Sequence, residues 1–490
     1  MYKRQLYNYL SRPRRFGKSL LIDTLQCYFE GKKELFEGLK IMELEEEWTE
    51  YPVIRLDMSG AGATAAEIKD YLNLEFSKYE ALYGIKPKET SRESVRLQVI
   101  LDTAHQKTGK QVVVLIDEYD SPLQHSWKTP EHEGCTEVYR SVFSVLKLKG
   151  NVLRFVFITG ITKFTQISLF SVLNHLTNIS FLPQFAPLCG ITEEEMTVNF
   201  APELEALADK MECSIEEAHD KLKTYYDGYH FSDENMTDIY NPFSLLNALS
   251  QLRLRNYWIS SGATSMLNKF VNNMELRLHD FEDCYIDKDT QEISDVIEGG
   301  AELFLYQTGY LTIKGFDEDG YSLGFPNEEV RKALYKAVLP ALTQKDITDI
   351  VSIQSRLMHS MNNGNLEEAK QCMKSLISNV PYSNKKLASM DMEERYRLII
   401  STILNAIGCQ VEVEHMLSTG RIDIVASTSR FIYVVELKLS NNGGINAAEK
   451  QIIDNGYLKP FLADDRKVIG LAVELDDMGK GLIDWKEVQN

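Results

Sequence analysis

Over the first 190 residues, apolar β-branched runs alternate with stretches of helical spacing. Tyr51–Met58, Val112–Asp117 and Leu153–Gly160 read as buried strands. Ile68–Tyr79, Glu93–Gln106 and Val138–Lys147 carry apolar residues three and four apart and read as helices. Strands alternating with helices predict a parallel sheet covered by helices. From 191 to 385 the pattern is mainly helical, broken at Gly228, Pro242, Gly262 and Gly309. From 386 it changes again. A helix over Asp391–Ala406 precedes strands near Cys409–His415, Arg421–Ala426 and Phe431–Leu439, then a helix over Asn446–Tyr457 and a strand at Lys467–Leu475. The expected domains are therefore 1–190, 191–385 and 386–490, with α/β architecture at both ends.

Composition narrows the class. The 490 residues hold 44% hydrophobic and 26% charged positions, an ordinary globular balance. No apolar run is long enough to span a bilayer, and no signal peptide is evident, so a cytoplasmic protein without membrane contact is expected. Seven scattered cysteines, with no Cys-x-x-Cys pair, fit reduced thiols. The histidines, His105, His125, His175, His230 and His415 among them, show no metal-ligand spacing. The formal charge of −19 works against bulk attraction to a polyanion, so any nucleic-acid contact needs a local basic cleft or bound divalent metal.

Two stretches carry phosphate chemistry. Near the N-terminus, a strand at Gln5–Leu10 runs into Arg12-Pro13-Arg14-Arg15-Phe16-Gly17-Lys18-Ser19 and then an apolar helix, Leu20–Phe29. Gly17, Lys18 and Ser19 match the second half of a phosphate-binding loop; Arg12 stands where its first glycine belongs. Backbone N–H groups at the helix start would cradle phosphate, Lys18 would reach the terminal phosphates, and Ser19 would hold Mg²⁺. Downstream, Val112–Asp117 is an apolar strand followed at once by Glu118. Asp117 would coordinate Mg²⁺ and Glu118 would orient water; a strand that merely ends in polar residues is the alternative. Thr159 and Lys163, closing the next strand, read either as γ-phosphate sensors or as turn residues.

Near the C-terminus, Gly420-Arg421-Ile422-Asp423-Ile424-Val425 and Tyr433-Val434-Val435-Glu436-Leu437-Lys438-Leu439 each place an acid inside an apolar strand. Strand alternation puts Glu436 and Lys438 on one face. Charges there are costly unless paired or metal-bound. Pairing the strands would bring Asp423 beside Glu436, able to hold Mg²⁺, with Lys438 assisting the attacking water. Glu393 extends the apolar stripe of Tyr396, Ile400, Ile403 and Ile407, whereas Glu394 and Arg395 point elsewhere. Gln451 lies one turn from Ala447 and Ala448. Glu414 reads either as a cleft residue or as a surface charge. The alternative for the whole set is a structural ion pair at a sheet edge.

The stretches Ser11–Leu20, Leu115-Ile116-Asp117-Glu118-Tyr119-Asp120 and Ser168-Leu169-Phe170-Ser171-Val172-Leu173-Asn174 resemble the mainly bacterial AAA-ATPase-like family. Tyr225-Tyr226-Asp227-Gly228-Tyr229-His230-Phe231, Tyr240-Asn241-Pro242-Phe243-Ser244 and the stretch from Trp258 to Gly262 are similar to its middle region. Members often end in a PD-(D/E)XK nuclease domain. The resemblance implies a P-loop NTPase sheet, a helical middle and a restriction-endonuclease-like C-terminal domain. It implies ATP and Mg²⁺ as cofactors and nucleic acid as partner, DNA ahead of RNA, with homo-oligomers a family habit. Carried over by position, Glu393 is the helix acid, Asp423 the metal-binding acid, Glu436 and Lys438 the Glu-x-Lys pair, and Gln451 the helix glutamine. Ile422 replaces the usual proline. The family implies a segment before the phosphate-loop strand, so Met1 reads as a shortened start. The function expected is an ATP-binding, ATPase-type protein coupled to a Mg²⁺-dependent nuclease. The alternative is a nucleotide-switched recognition protein that does not cut.

Overall fold

The computed structural model describes residues 6–86, 92–162, 176–258, 284–287, 300–343, 347–378 and 391–488. They fall into two compact units. One takes in the described residues of Met1–Leu254 and Cys284–Pro326, the other those of Arg255–Asp283 and Asn327–Asn490.

In the first unit, β1 (Tyr7–Ser11), β2 (Val53–Asp57), β3 (Val112–Asp117), β4 (Leu153–Gly160) and β5 (Thr177–Asn178) form one sheet in the order β2-β3-β4-β1-β5. Every pairing is parallel, as the strand–helix alternation predicts. β3 is buried at all six positions, so a strand covered on both faces reads as an unbroken apolar run. The Lys18–Phe29 helix packs on the sheet through Ile22 and Phe29, which meet Leu10, Val113, Leu115 and Phe157. Each such side chain contributes roughly 1.5–3 kcal/mol on burial. Because β4 lies between β1 and β3, its C-terminal end sits between the phosphate loop and the acids of β3.

The stretch beyond 190 is helical, as expected, with small sheets as well. β6 (Ile191–Thr192) pairs with β7 (Ile239–Tyr240). β8 (Cys284–Asp287), β9 (Thr312–Phe316) and β10 (Gly320–Gly324) form an antiparallel sheet in the order β8-β10-β9, which the hydrophobic pattern did not announce.

In the second unit, β11 (Gln410–Leu417), β12 (Gly420–Ser427), β13 (Phe431–Leu439), β14 (Lys467–Leu475) and β15 (Leu482–Val488) lie in sequence order. Only β13 and β14 are parallel, and the Gly444–Asp454 helix makes their crossover. That helix covers one face of the sheet, where Ala448 and Ile452 meet Ile432, Val434 and Ala472. The Met392–Ala406 helix covers the other, where Ile400 and Leu404 line a small apolar cavity together with Val435, Leu471 and Val473. Among the described residues, no helix is long and apolar enough to cross a membrane.

Candidate functional site

The phosphate loop is built around a left-handed glycine. Gly17, at φ 70°, caps the Lys18–Phe29 helix, and no side chain takes part in that cap. Glycine adopts this conformation without a Cβ penalty. Arg15, at φ 68°, adopts it with one. Lys18 is buried, and its Nζ donates to the carbonyls of Arg12 (2.9 Å) and Pro13 (3.0 Å). Burial lowers its pKa, while Glu118, Asp120 and Asp117 act in the opposite sense. Ser19 is exposed at the helix start.

Arg12, the departure from the standard loop, spends its guanidinium on backbone carbonyls. It is buried, and its guanidinium donates to the carbonyls of Leu188, Ser11, Ser180, Phe185 and Ala186. The ring of Phe231 lies 4.2 Å from its charged carbon. Burial pulls its pKa down to about 10. Phe16 in the same loop packs edge-on against Tyr229 and Phe231. The Tyr225–Phe231 stretch therefore acts as packing beneath the loop.

At the end of β3, Asp117 is fully buried. Its Oδ1 accepts from Thr159 Oγ1 (2.5 Å) and from the Glu118 backbone N–H (3.0 Å). Its Oδ2 is buried with no hydrogen-bond partner. Leaving a carboxylate oxygen in that state costs free energy that a cation would recover. Glu118 has a left-handed backbone at φ 46°, and burial raises its pKa against the opposing pull of Lys18. Thr159 thus holds Asp117, whereas Lys163 and the Ser168–Asn174 motif lie outside the described residues. Asp120 went unassigned in the sequence reading. Its Oδ2 accepts from the N–H groups of Ile161 (3.0 Å) and Thr162 (2.6 Å), from Thr162 Oγ1 (2.7 Å) and from Gln124 Nε2 (2.6 Å). It clamps the end of β4 to the end of β3.

In the second unit, β12 and β13 pair as far as Ile424↔Val435. The next two residues are Asp423 and Glu436, and the ladder ends there. Asp423 Oδ2 accepts the Leu437 N–H at 2.8 Å, so the side chain replaces the ladder bond. Both acids are buried, at 5% and 1% exposure, and lie on interior strands of the sheet and not at its edge. Lys438 Nζ donates to Glu436 Oε1 at 2.9 Å and lies 3.9 Å from Glu393 Oε1. Glu436 Oε2 is buried without a partner. Burial, reinforced by the charge of Asp423, pushes the Glu436 pKa up to about 7. Burial also raises that of Glu393, and pairing with Glu436 leaves that of Lys438 raised.

Asp423, Glu436, Lys438 and Glu393 are thus brought together, while Glu394 is exposed. Gln451 is not placed among the acids: its Nε2 donates to the Tyr457 hydroxyl (3.2 Å), which donates to the Arg421 carbonyl. The sequence reading missed Arg397, one helical turn beyond Glu393. Its Nε lies 3.2 Å from Asp423 Oδ1, and its Nη1 donates to Glu414 at 2.5 Å. The signal was present as i,i+4 spacing from Glu393 inside an apolar stripe.

Among the described residues no cluster of three or more His, Cys, Asp or Glu is arranged to hold a metal. Mg²⁺ does not require one, since it binds through one or two carboxylates and otherwise keeps water or phosphate oxygens. The unpartnered oxygens of Asp117 and Glu436 fit that demand.

Residues 1–170 match the family model described as a predicted AAA-ATPase, and residues 391–485 match that of the PD-(D/E)XK nuclease superfamily. An uncharacterized protein in the vnfD 5' region of Azotobacter chroococcum mcd 1 is 29% identical over 494 residues, covering 95% of this chain and 92% of the relative. The parallel sheet with its phosphate loop and the mixed sheet with its paired acids agree with those matches, so residues 1–170 are similar to an AAA-ATPase-like domain and residues 391–485 to the PD-(D/E)XK nuclease superfamily.

Proposed function

We propose that the chain binds ATP at Gly17, Lys18, Ser19 and Asp117, and hydrolyses nucleic acid at Asp423, Glu436 and Lys438. The observation that carries the reading is the buried pair at the end of β12 and β13. Two carboxylates and a lysine meet there, and one carboxylate oxygen lacks a partner.

In this reading Asp423 and Glu436 hold Mg²⁺, which when bound polarises the phosphodiester and acidifies its attacking water. Lys438 orients that water and offsets negative charge growing on the phosphate. Glu393 holds the Lys438 ammonium from the far side, and Gln451 steadies the strand entering Asp423 through Tyr457. In the first unit Lys18 leaves its two loop carbonyls for the terminal phosphates, which are charged and stronger acceptors. Ser19 and Asp117 hold the nucleotide's Mg²⁺, and Glu118 orients water for hydrolysis. The domain limits of 1–190, 191–385 and 386–490, a cytoplasmic setting, DNA as the first substrate to try and assembly into homo-oligomers belong to the same proposal.

The test is a panel of single- and double-stranded DNA and RNA incubated with Mg²⁺, with and without ATP. Wild-type protein is expected to cut at least one substrate, Glu436→Ala to cut none, and Lys18→Ala to lose any response to ATP. Equal cleavage by wild type and Glu436→Ala, or none by either, sinks the nuclease reading. A second reading, recognition without cutting, draws on one observation: both oxygens of Asp423 already face protein groups, Arg397 and the Leu437 N–H. It predicts nucleic-acid binding that Glu436→Ala leaves unchanged.

A further inference from the structure

Arg397 is in the wrong place for a plain structural residue. Its side chain is 10% exposed and lies between two carboxylates, those of Asp423 and Glu414. The two contacts differ in kind. Nη1 makes a short hydrogen bond to Glu414 Oε1. Nε lies within ion-pair distance of Asp423 Oδ1 but makes no aligned hydrogen bond there or elsewhere. Guanidinium is a rigid fork, so satisfying one acceptor fixes how it meets the other. Here the fork is aligned on Glu414 and makes a loose electrostatic contact with Asp423.

Glu414 is placed to hold it. It lies in β11 between the ladder pairs Val413↔Ile424 and His415↔Ile422, directly across from Asp423. Its backbone is left-handed at φ 57°, unusual for a glutamate inside a strand. Its carboxylate also lies 3.1 Å from Arg421 Nη1. One half-buried acid thus holds two arginines, one of which reaches inward to the proposed metal ligand.

We infer that Arg397 is a positioning residue that competes with divalent metal for Asp423, and that Glu414 sets the strength of that competition by holding the guanidinium outward. The inference rests on the metal-binding reading of Asp423 and Glu436. Its physics is charge. A cation 3.2 Å from Asp423 Oδ1 satisfies the carboxylate when no other cation is near, and repels a dication approaching the same oxygen. As metal arrives, Arg397 keeps its Glu414 bond and gives up only the unaligned contact. Without Glu414 the fork would be free to align on Asp423, and metal would have to displace a stronger bond.

The test is Mn²⁺ titration of the full chain by calorimetry, with Asp423→Asn defining the binding that depends on Asp423. Arg397→Gln is expected to tighten that binding roughly three- to tenfold, and Glu414→Gln to weaken it several-fold. In the Arg397→Gln background, Glu414→Gln is expected to change nothing, since its effect runs through the arginine. Unchanged or weaker binding in a folded Arg397→Gln protein overturns the inference. So does an equal Glu414→Gln effect in both backgrounds, which would mean Glu414 acts by its own charge. Should Arg397→Gln fail to fold, Arg397→Lys replaces it. A lysine lacks the fork, so most of the Glu414→Gln effect must vanish, and its full persistence overturns the inference. If wild type binds Mn²⁺ no better than Asp423→Asn, the metal-site reading itself fails; if it does, and the arginine variants match wild type, only the competition fails.

Discussion

Arg12 and Glu436 show how differently two buried charges are handled. Arg12 donates to five backbone carbonyls and meets no carboxylate among the described residues, so it ties the first turn of the phosphate loop to the 180–188 segment. Arg12→Gly restores the glycine of a standard phosphate loop. It nonetheless strips those carbonyls of their donor, and is expected to cost roughly 3 kcal/mol or more without improving nucleotide affinity. Chemical denaturation together with nucleotide titration checks both halves. Glu436 has an unpartnered oxygen and a pKa near 7, against 4.5 for an ordinary glutamate. The folded protein therefore holds this proton more tightly than the unfolded chain does. The stability this group contributes is full below about pH 4.5 and is lost as pH rises through about 7. Glu436→Gln cannot ionise, so in EDTA it should be the more stable protein at pH 8, by at most about 3 kcal/mol, with little advantage at pH 5. Thermal unfolding across that range reads the difference, and a wild-type curve parallel to the variant's would refute it. The acids themselves were legible because a charge inside an apolar strand stands out. The face of Arg397 was legible too, by its i,i+4 spacing from Glu393, but its contact with Asp423 was not, since helix spacing gives a face and never the partner across it.

Elements are joined at their ends in this protein, and the proposed sites lie at those joints. Asp120 takes two backbone N–H groups from the turn after β4, a hydroxyl and an amide, all onto one oxygen. Gly160 closes the same joint: a Cβ there would come within 2.7 Å of the Asp120 carboxylate and of the Tyr119 ring. Asp120→Ala leaves the buried N–H groups of Ile161 and Thr162 without acceptors, and is expected to cost about 3 kcal/mol or more. Asp117→Asn keeps the shape of its side chain and removes an under-satisfied charge. It should stay within about 1 kcal/mol of wild type while losing Mg²⁺-dependent nucleotide binding. Paired melting and nucleotide titration separate the two, and equal destabilisation by both would refute the division of labour. The strands carrying these acids could be read from sequence because both ends of each are marked by polar residues. β15 could not. Its buried residues, Leu482, Trp485 and Val488, come every third position instead of every second. In the β9–β10 hairpin the turn was written in Asp317 and Gly320, whose side chain and N–H bond each other, but strands of five residues give too few alternations to register.

At the scale of the whole molecule, charge governs how a polyanion can be approached. The chain carries 72 acidic and 53 basic residues, so long-range attraction to nucleic acid is absent and repulsion is the default. Among the described residues around the proposed nuclease site, the cations Lys438, Arg397 and Arg421 are each paired to an acid, so these three offer little free positive charge. Bound divalent metal would then supply the net positive charge that draws in a phosphate. This gives an ordering of effects. In EDTA at near-physiological salt, binding of a short labelled duplex is expected to be weak, because counterion release by paired cations is small. Mg²⁺ should strengthen binding at least tenfold in Lys438→Ala, a variant chosen to keep both metal ligands while slowing any cutting. Glu436→Ala should remove most of that gain. Fluorescence anisotropy across a Mg²⁺ series measures all three. Tight binding in EDTA that ignores Mg²⁺ would mean that a basic surface elsewhere on the protein recruits the nucleic acid, and that the acids at Asp423 and Glu436 play no part in capturing it.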